Sequence, residues 1–233
     1  MDPIFVGKPR AKEAGLCDVG LSFGGDDPSQ PLIIPKVVDG LIASRILSRG
    51  FEFSKCSKLV IPSTVSRIMR SAFSQLETKE IVFEQKSTLE AIDQYAFGDG
   101  KFETMEIPAS VWYLGIAAFC NSNLKSISGG YGIFTINRRC FAGSLLKEID
   151  FSKFAPFVTE IGDECFADSQ IEQMVWPQNI SIEGISPSAF NGCKKLSVIN
   201  VTRTSVMGVS SVAKYVKDNI PNNNIECISL MDP

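Results

Sequence analysis

One segment decides how this chain folds: residues 59–73 read LVIPSTVSRIMRSAF. Two apolar residues, Leu59 and Ile61, lie two positions apart, an alternation typical of a short strand with one buried face. The proline that follows ends the strand, because proline cannot donate a main-chain hydrogen bond. Val65, Ile68 and Phe73 come next, and Phe73 directly follows a small residue. The segment therefore predicts one turn of a chain that winds around a core.

The same pattern returns along most of the chain. Its phenylalanines recur every 22 to 25 residues, at Phe51, Phe73, Phe97, Phe119, Phe141, Phe166 and Phe190. The apolar residues eight positions before them are Ala43, Val65, Leu89, Val111, Ile133, Val158 and Ile182. Because one coil cannot bury its own apolar face but stacked coils can, this repeat predicts a solenoid. The differences in spacing place every insertion in the loop directly after the strand.

The small residue and the phenylalanine of each repeat predict a tight turn, either 3₁₀ or a short helix. We expect the phenylalanine to be buried between neighbouring coils, which stack about 4.8 Å apart in a parallel sheet. The small residue before it lets the turn approach the coil closely.

This pattern resembles the BspA-type leucine-rich repeat. Residues 59–73 match its motif, as do residues 105–111 with their continuation to Phe119, and residues 32–42 look like the family's opening strand. The resemblance covers residues 32 to 202 and implies a curved, right-handed solenoid that binds proteins or matrix, often at a cell surface, without catalysis. Gly129 departs from the motif, since it stands where the pattern has a strand apolar residue. The N-terminus also shows no secretion signal.

We therefore predict an α/β solenoid of about seven coils, each 22–25 residues long. It has a parallel sheet on one face, short helical turns and a C-terminal cap. Residues 1–31 lack the repeat and are expected to form an irregular arm. Residues 32–202 form the solenoid, and residues 203–233 form the cap, with a helix near 209–219 and a strand near 225–230. A parallel β-helix has similar coil lengths and is the alternative, but the small-Phe turn favours the leucine-rich form.

Composition excludes several kinds of chemistry. The 233 residues include no histidine, which excludes Ser-His-Asp and Cys-His catalysis and histidine-containing zinc sites. The net charge of −3 argues against a nucleic-acid partner, and no apolar run is long enough to span a bilayer. We predict no catalytic residues, no cofactor and no metal.

Seven cysteines occur without a C-x-x-C pair or metal spacing. Cys140 and Cys165 occupy the small position before the phenylalanine, so buried, reduced thiols are expected. One alternative stays open, because these two cysteines lie one coil apart, a distance that a disulfide spans.

The outward positions of the strands are mildly acidic. Glu80, Glu106, Glu148 and Asp150 lie there, around a middle made of small polar residues. We interpret this face as a docking surface for a basic partner, and a solvated face without a partner is the alternative. Paired carboxylates also serve glycoside hydrolysis, but these are spread along a ladder with no second catalytic group evident.

Two aromatic residues break a row that is otherwise polar. Trp112 and Phe134 follow the buried apolar position on neighbouring coils and are expected to stack, and Tyr113 extends the patch. Exposed aromatic clusters are typical of binding hot spots. The alternative is burial under the N-terminal arm. Phe154 and Phe157, in the longest insertion, either join this edge or anchor their loop.

The hypothesis that follows is a non-enzymatic protein-binding scaffold, a component of a larger assembly, of cytoplasmic or cytoskeletal location. The alternative is a cell-surface adhesin for host or matrix ligands. A carbohydrate-active enzyme on a β-helix is a third hypothesis, from a different class.

Overall fold

The structure, a computed structural model, describes residues 3–10, 15–23, 26–220, 225 and 227–231. These residues form short strands, a 3₁₀ helix at Ile182–Gly184 and one α-helix, α1, at Val209–Asn219. In chain order the strands are β1 Ile4–Pro9, β2 Leu16–Phe23, β3 Asp26–Ile33, β4 Val37–Val38, β5 Leu41–Ile46, β6 Lys55–Ile61, β7 Arg67–Ile68, β8 Glu80–Phe83, β9 Ala91–Ile92, β10 Thr104–Ile107, β11 Tyr113–Leu114, β12 Ser126–Gly129, β13 Thr135–Ile136, β14 Glu148–Asp150, β15 Glu160–Ile161, β16 Gln173–Val175, β17 Val198–Thr202 and β18 Cys227–Met231.

Parallel strands stack into a solenoid of about eight turns, which confirms the predicted fold class. Each coil contributes a long strand to one sheet and a short strand to another. The short-strand sheet runs unbroken from β1 through β2, β5, β7, β9, β11 and β13 to β15. The long-strand sheet is divided into three segments, β3-β6-β8, β10-β12 and β14-β16-β17-β18. Equivalent repeat positions face each other, as in Leu59 opposite Ile81 and Leu114 opposite Ile136.

A ladder of phenylalanine rings runs through the core. The seven repeated phenylalanines are at most 2% exposed, and consecutive rings stack with centroids 5.2 to 5.6 Å apart. Phe5 of β1 extends the ladder at one end, with its ring centroid 6.3 Å from that of Phe51. The burial predicted for this position is confirmed.

The turns that carry these rings are closed in a regular way. In the second repeat, Ser71 and Gln75 flank Phe73 and both have left-handed backbones, with φ of 55° and 58°. The amide of Ser74 bonds the carbonyl three residues back, while the amide of Phe73 donates across to Ala96 of the next coil, at 2.8 Å. The i−3 bonds are those of a 3₁₀ turn, but the left-handed residues prevent a continuous helix.

One core position predicted for the seventh repeat is wrong. Ile182 is 39% exposed, whereas Ile180 is fully buried in its place. The 3₁₀ helix Ile182–Gly184 is the reason, because the extra residues of this repeat are inserted after the buried position and not before it. The prediction that every insertion falls in one loop is therefore wrong for this repeat.

The N-terminal segment is not the irregular arm that the sequence suggested. β1 and β2 form an antiparallel hairpin, and β2 pairs in parallel with β5 of the first full coil. Cys17 and Val19 are fully buried, and the amide of Leu21 donates to Gly50 at 2.9 Å. The alternation along β2 gives it one apolar face, which covers the open end of the solenoid.

The C-terminal helix and strand close the other end, as predicted. α1 buries Val212, Tyr215 and Val216. The ring of Tyr215 contacts Trp176 edge-on at 5.8 Å, and its hydroxyl donates to the carbonyl of Ser186 at 2.8 Å. The strand β18 then pairs in parallel with β17.

Candidate functional site

The outward side chains of the long strands form a surface that we call the strand face. It carries the four predicted acidic residues: Glu80, Glu106 and Glu148 are exposed and Asp150 is half-buried. The residues that alternate with them, such as Ile81, point into the core. The structure thus places these carboxylates on one face, in the order expected from the repeat.

The carboxylates of the strand face differ in their partners. Glu80 forms an ion pair with Lys58 at 3.1 Å, and Asp150 forms one with Lys153 at 3.0 Å. Glu106 forms no ion pair with any lysine or arginine among the described residues. Glu148 forms no ion pair among these residues either, but its carboxylate accepts a hydrogen bond from the side-chain amide of Gln173 at 2.8 Å. Of the four predicted carboxylates, Glu106 is therefore the one without a polar side-chain partner in the described part of the chain.

A groove of about 820 Å³ opens on the strand face where β8 and β10 fail to pair. Thr104, Ser126 and Ser128 line it, together with Glu106 and Tyr131. A second cavity, of about 270 Å³, lies at the other break, between β12 and β14, and shares Ser126 and Ser128 with the first. The two cavities therefore adjoin at Ser126 and Ser128, the small polar side chains in the middle of the face.

Two of the three predicted aromatic residues are exposed to solvent, and the third, Tyr113, is half-buried. Trp112 is 57% and Phe134 is 56% exposed, so neither is buried under the N-terminal segment. The ring of Trp112 contacts Tyr113 edge-on at 5.9 Å. The expected stacking of Trp112 on Phe134 is absent from the ring contacts of the described residues.

Two further aromatic residues lie on the same edge. Tyr131 is 53% and Phe157 is 50% exposed, and they precede the buried apolar positions of the next two coils after that of Trp112. Phe154, by contrast, is fully buried and meets Phe141 edge-on at 5.7 Å, so it anchors the insertion. We call this set the aromatic patch; it comprises the exposed Trp112, Tyr131, Phe134 and Phe157 together with the half-buried Tyr113.

The cysteines whose side chains the structure describes are buried free thiols, at Cys17, Cys56, Cys120, Cys140, Cys165 and Cys193. Cys140 and Cys165 are thus not joined, and the open disulfide alternative is not what the structure contains. Burial raises the pKa of both thiols well above its ordinary value, and it raises the pKa of Cys193 to about 11. The thiolate is the reactive form, so these positions are structural.

We expect these thiols not to react with Ellman's reagent in the folded protein at pH 8. A Cys227→Ser background removes the one cysteine whose side chain lies outside the described part. Absorbance at 412 nm is expected to stay flat in buffer and to report all six thiols once guanidinium unfolds the chain. Rapid labelling of any thiol in buffer would contradict the burial described above.

Among residues 3–10, 15–23, 26–220, 225 and 227–231, no group of three or more Cys, Asp or Glu side chains is arranged to hold a metal ion. In that same part of the chain, no helix combines the length and apolarity needed to cross a membrane.

The model of the BspA type leucine rich repeat region matches six copies in this sequence, over residues 44–156 and 159–229. The chain belongs to the BspA-type leucine-rich repeat family. Phe157 lies between the two matched stretches, in the longest insertion. The N-terminal hairpin precedes the matched region altogether.

Two solved structures share the fold of this family member. The pneumococcal vaccine antigen PcpA has a TM-score of 0.56 at 18% identity, over 82% of this chain and 61% of that one. A leucine-rich repeat protein of T. pallidum has a TM-score of 0.57 at 15% identity, over 96% of this chain and 97% of that one. The chain therefore spans less than two thirds of the pneumococcal protein. No curated protein sequence matches it significantly.

Proposed function

We propose that the chain is a non-enzymatic protein-binding scaffold, a component of a larger assembly, whose partner docks on the aromatic patch. The observation that carries this is the exposure of Trp112, Tyr131, Phe134 and Phe157, each at least half exposed on neighbouring coils. Contiguous exposed apolar surface on a soluble domain marks interaction sites. Tryptophan and tyrosine dominate binding hot spots.

The chemistry of the strand face supports binding over hydrolysis. A glycosidase needs one carboxylic acid with a raised pKa, held near a second carboxylate. Burial alone would raise the pKa of Asp150, but hydrogen bonds from Ser152 and Lys153 outweigh it and leave that pKa below its ordinary value. Asp150 is thus a poor general acid at neutral pH.

The double change Trp112→Ala plus Phe134→Ala is expected to reduce the recovery of native partners at least tenfold without lowering the melting temperature. The reason is that each side chain contacts mostly solvent, so its loss costs a partner more than it costs the fold. The measurement is affinity purification of the tagged protein from its native cells, followed by quantitative mass spectrometry and a thermal melt.

The matched control is Phe53→Ala plus Val206→Ala, which removes two side chains that are 53% and 67% exposed outside the patch. Partners lost with the first pair and retained with the second support the proposal. Equal recovery with both pairs sinks it. A large loss of stability in the first pair shows that the patch belongs to the core and also sinks it.

A second candidate function is adhesion at a cell surface. Family membership supports it, as does the fold shared with a pneumococcal vaccine antigen. Labelling of intact native cells with a membrane-impermeant biotin reagent separates the two candidates. A labelled protein supports adhesion, and an unlabelled one supports an intracellular scaffold.

A further inference from the structure

The groove and the aromatic patch are parts of one surface. Tyr131 belongs to both, since it lines the groove and is 53% exposed. The loop Pro108–Ser110 also lines the groove and leads directly through Val111 to Trp112. A ligand that lies in the groove therefore reaches the patch without crossing another coil.

Among the residues that line the groove, carboxylates outnumber lysines. Three carboxylates line the groove, those of Glu80, Glu84 and Glu106, against one lysine, Lys86. Lys36 and Lys58 lie outside this lining but offset two of these charges, since Glu84 pairs with Lys36 at 3.0 Å and Glu80 pairs with Lys58 at 3.1 Å. Glu106 is therefore the carboxylate of the groove that has no ion pair among the described residues.

The rim of the patch is acidic as well. Glu90 is exposed beside Trp112, whose amide bonds the carbonyl of Glu90 at 3.0 Å. On the other side, the amides of Thr159 and Glu160 bond the carbonyl of Phe134, at 2.8 and 3.1 Å. The carboxylate of Glu160 is exposed on that side. Apolar rings are thus framed by carboxylates, a combination that favours a ligand with basic and apolar side chains together.

The main chain of the groove favours an extended ligand. No ladder joins β8 to β10 over Glu80–Phe83 and Thr104–Ile107, so the facing edges of these two strands have no main-chain partners among the described residues. A ligand that crosses the coils runs perpendicular to these strands, so it meets their unpaired amides and carbonyls as separate hydrogen-bonding groups and does not pair with them as a further strand. β8 and the coil of Phe157 are three coil spacings of about 4.8 Å apart. About four or five residues of an extended ligand span this distance.

We propose that the partner docks through an extended segment that places lysine or arginine in the groove, beside Glu106, and an apolar side chain on the aromatic patch. This inference rests on the proposed function and specifies the chemistry of the partner.

The experiment uses fluorescein-labelled synthetic peptides and fluorescence anisotropy with the purified chain. The probes are KKGKGLF, its acidic counterpart EEGEGLF and its polar counterpart KKGKGSS. We expect KKGKGLF to bind, EEGEGLF to bind at least tenfold more weakly, and KKGKGSS to fall between them. Raising the salt from 50 to 500 mM is expected to weaken KKGKGLF several-fold, because exposed charges are screened at high ionic strength.

Two variants locate the contact. Glu106→Lys is expected to weaken the binding of KKGKGLF at least tenfold, and Glu106→Gln is expected to weaken it by a smaller factor. Because the side chain of residue 106 is exposed, the melting temperature of both variants should match that of the wild type. Asp218→Asn on α1 removes one negative charge outside the groove and is expected to leave binding unchanged.

Equal binding of the basic and acidic peptides, no binding of KKGKGLF at millimolar concentration, or no effect of Glu106→Lys each overturns the inference. These outcomes are distinct from failure of the proposed function, which is read from native partners retained by the Trp112→Ala plus Phe134→Ala protein.

Discussion

Replacing Phe119 by alanine is expected to destabilise the protein by about 3–5 kcal/mol, the usual range for truncating a fully buried phenylalanine. The ring is completely buried and lies between those of Phe97 and Phe141, at 5.6 and 5.3 Å, with nearly parallel planes. The main chain beside it is held to the next coil by the amide of Phe119, which donates to Cys140 at 2.8 Å. The coils therefore cannot collapse into the cavity, and most of the lost contact is not recovered.

Equilibrium unfolding in guanidinium measures this loss. Phe53→Ala is the matched control, because it deletes the same atoms from a side chain that is 53% exposed and leaves the left-handed backbone of residue 53 in place. We expect a loss of about 1 kcal/mol or less for the control. Similar losses in both variants, or an unchanged midpoint for Phe119→Ala, would show that the ring ladder does not hold the coils together.

The ladder was predictable because one physical requirement is repeated in every coil. Phe73, Phe97 and Phe119 occupy equivalent positions between stacked turns, and the same buried phenylalanine recurs in seven coils. The strand positions were predictable for the same reason. A side chain that faces the core in one coil faces it in all of them.

The turn conformation was not predictable in this way. Arg49, Ser71 and Tyr95 occupy equivalent turn positions and share a left-handed backbone, yet they have no side-chain property in common. Closure of the coil and the hydrogen bonds to the next coil impose this conformation, at a cost of about 1–2 kcal/mol per residue for a non-glycine residue. Since the cause lies in the neighbouring coil, the local sequence carries no sign of it.

Part of the candidate site was predictable and part was not. Trp112 and Phe134 stood out because they interrupt a polar row at a repeat position. Tyr131 lies in a loop, whose length varies between coils, so no register assigned it to this edge. Phe157 lies in the longest insertion, and the sequence left open whether it joins the edge or anchors its loop. The groove was missed for another reason: it opens where β8 and β10 fail to pair, and strand pairing is a property of two coils rather than of one residue.

Gly129→Ala is expected to destabilise the protein by about 2–4 kcal/mol, the sum of a left-handed backbone without glycine and of overpacking. Gly129 stands where the family pattern has an apolar strand residue, and the structure gives the reason. Its φ is +83°, and a Cβ there would overlap the carbonyl oxygen of Ile107 in β10. Phe154 fills the core volume that this glycine leaves empty, since it is fully buried and forms a parallel β-bridge with Gly129.

Gly40→Ala separates the two contributions to that loss. Gly40 has a φ of +77°, but a Cβ there would meet nothing within 4 Å, so only the backbone strain applies. We expect its cost to stay near 1 kcal/mol, and the excess measured for Gly129→Ala by guanidinium unfolding is then the clash with β10. Because Ile107 and Gly129 both line the groove, Gly129→Ala is also expected to weaken the binding of KKGKGLF, whereas Gly40→Ala is not. Equal losses of stability in the two variants would mean that β10 moves to accommodate the added methyl group. The close approach of β10 and β12 would then not determine the shape of the groove.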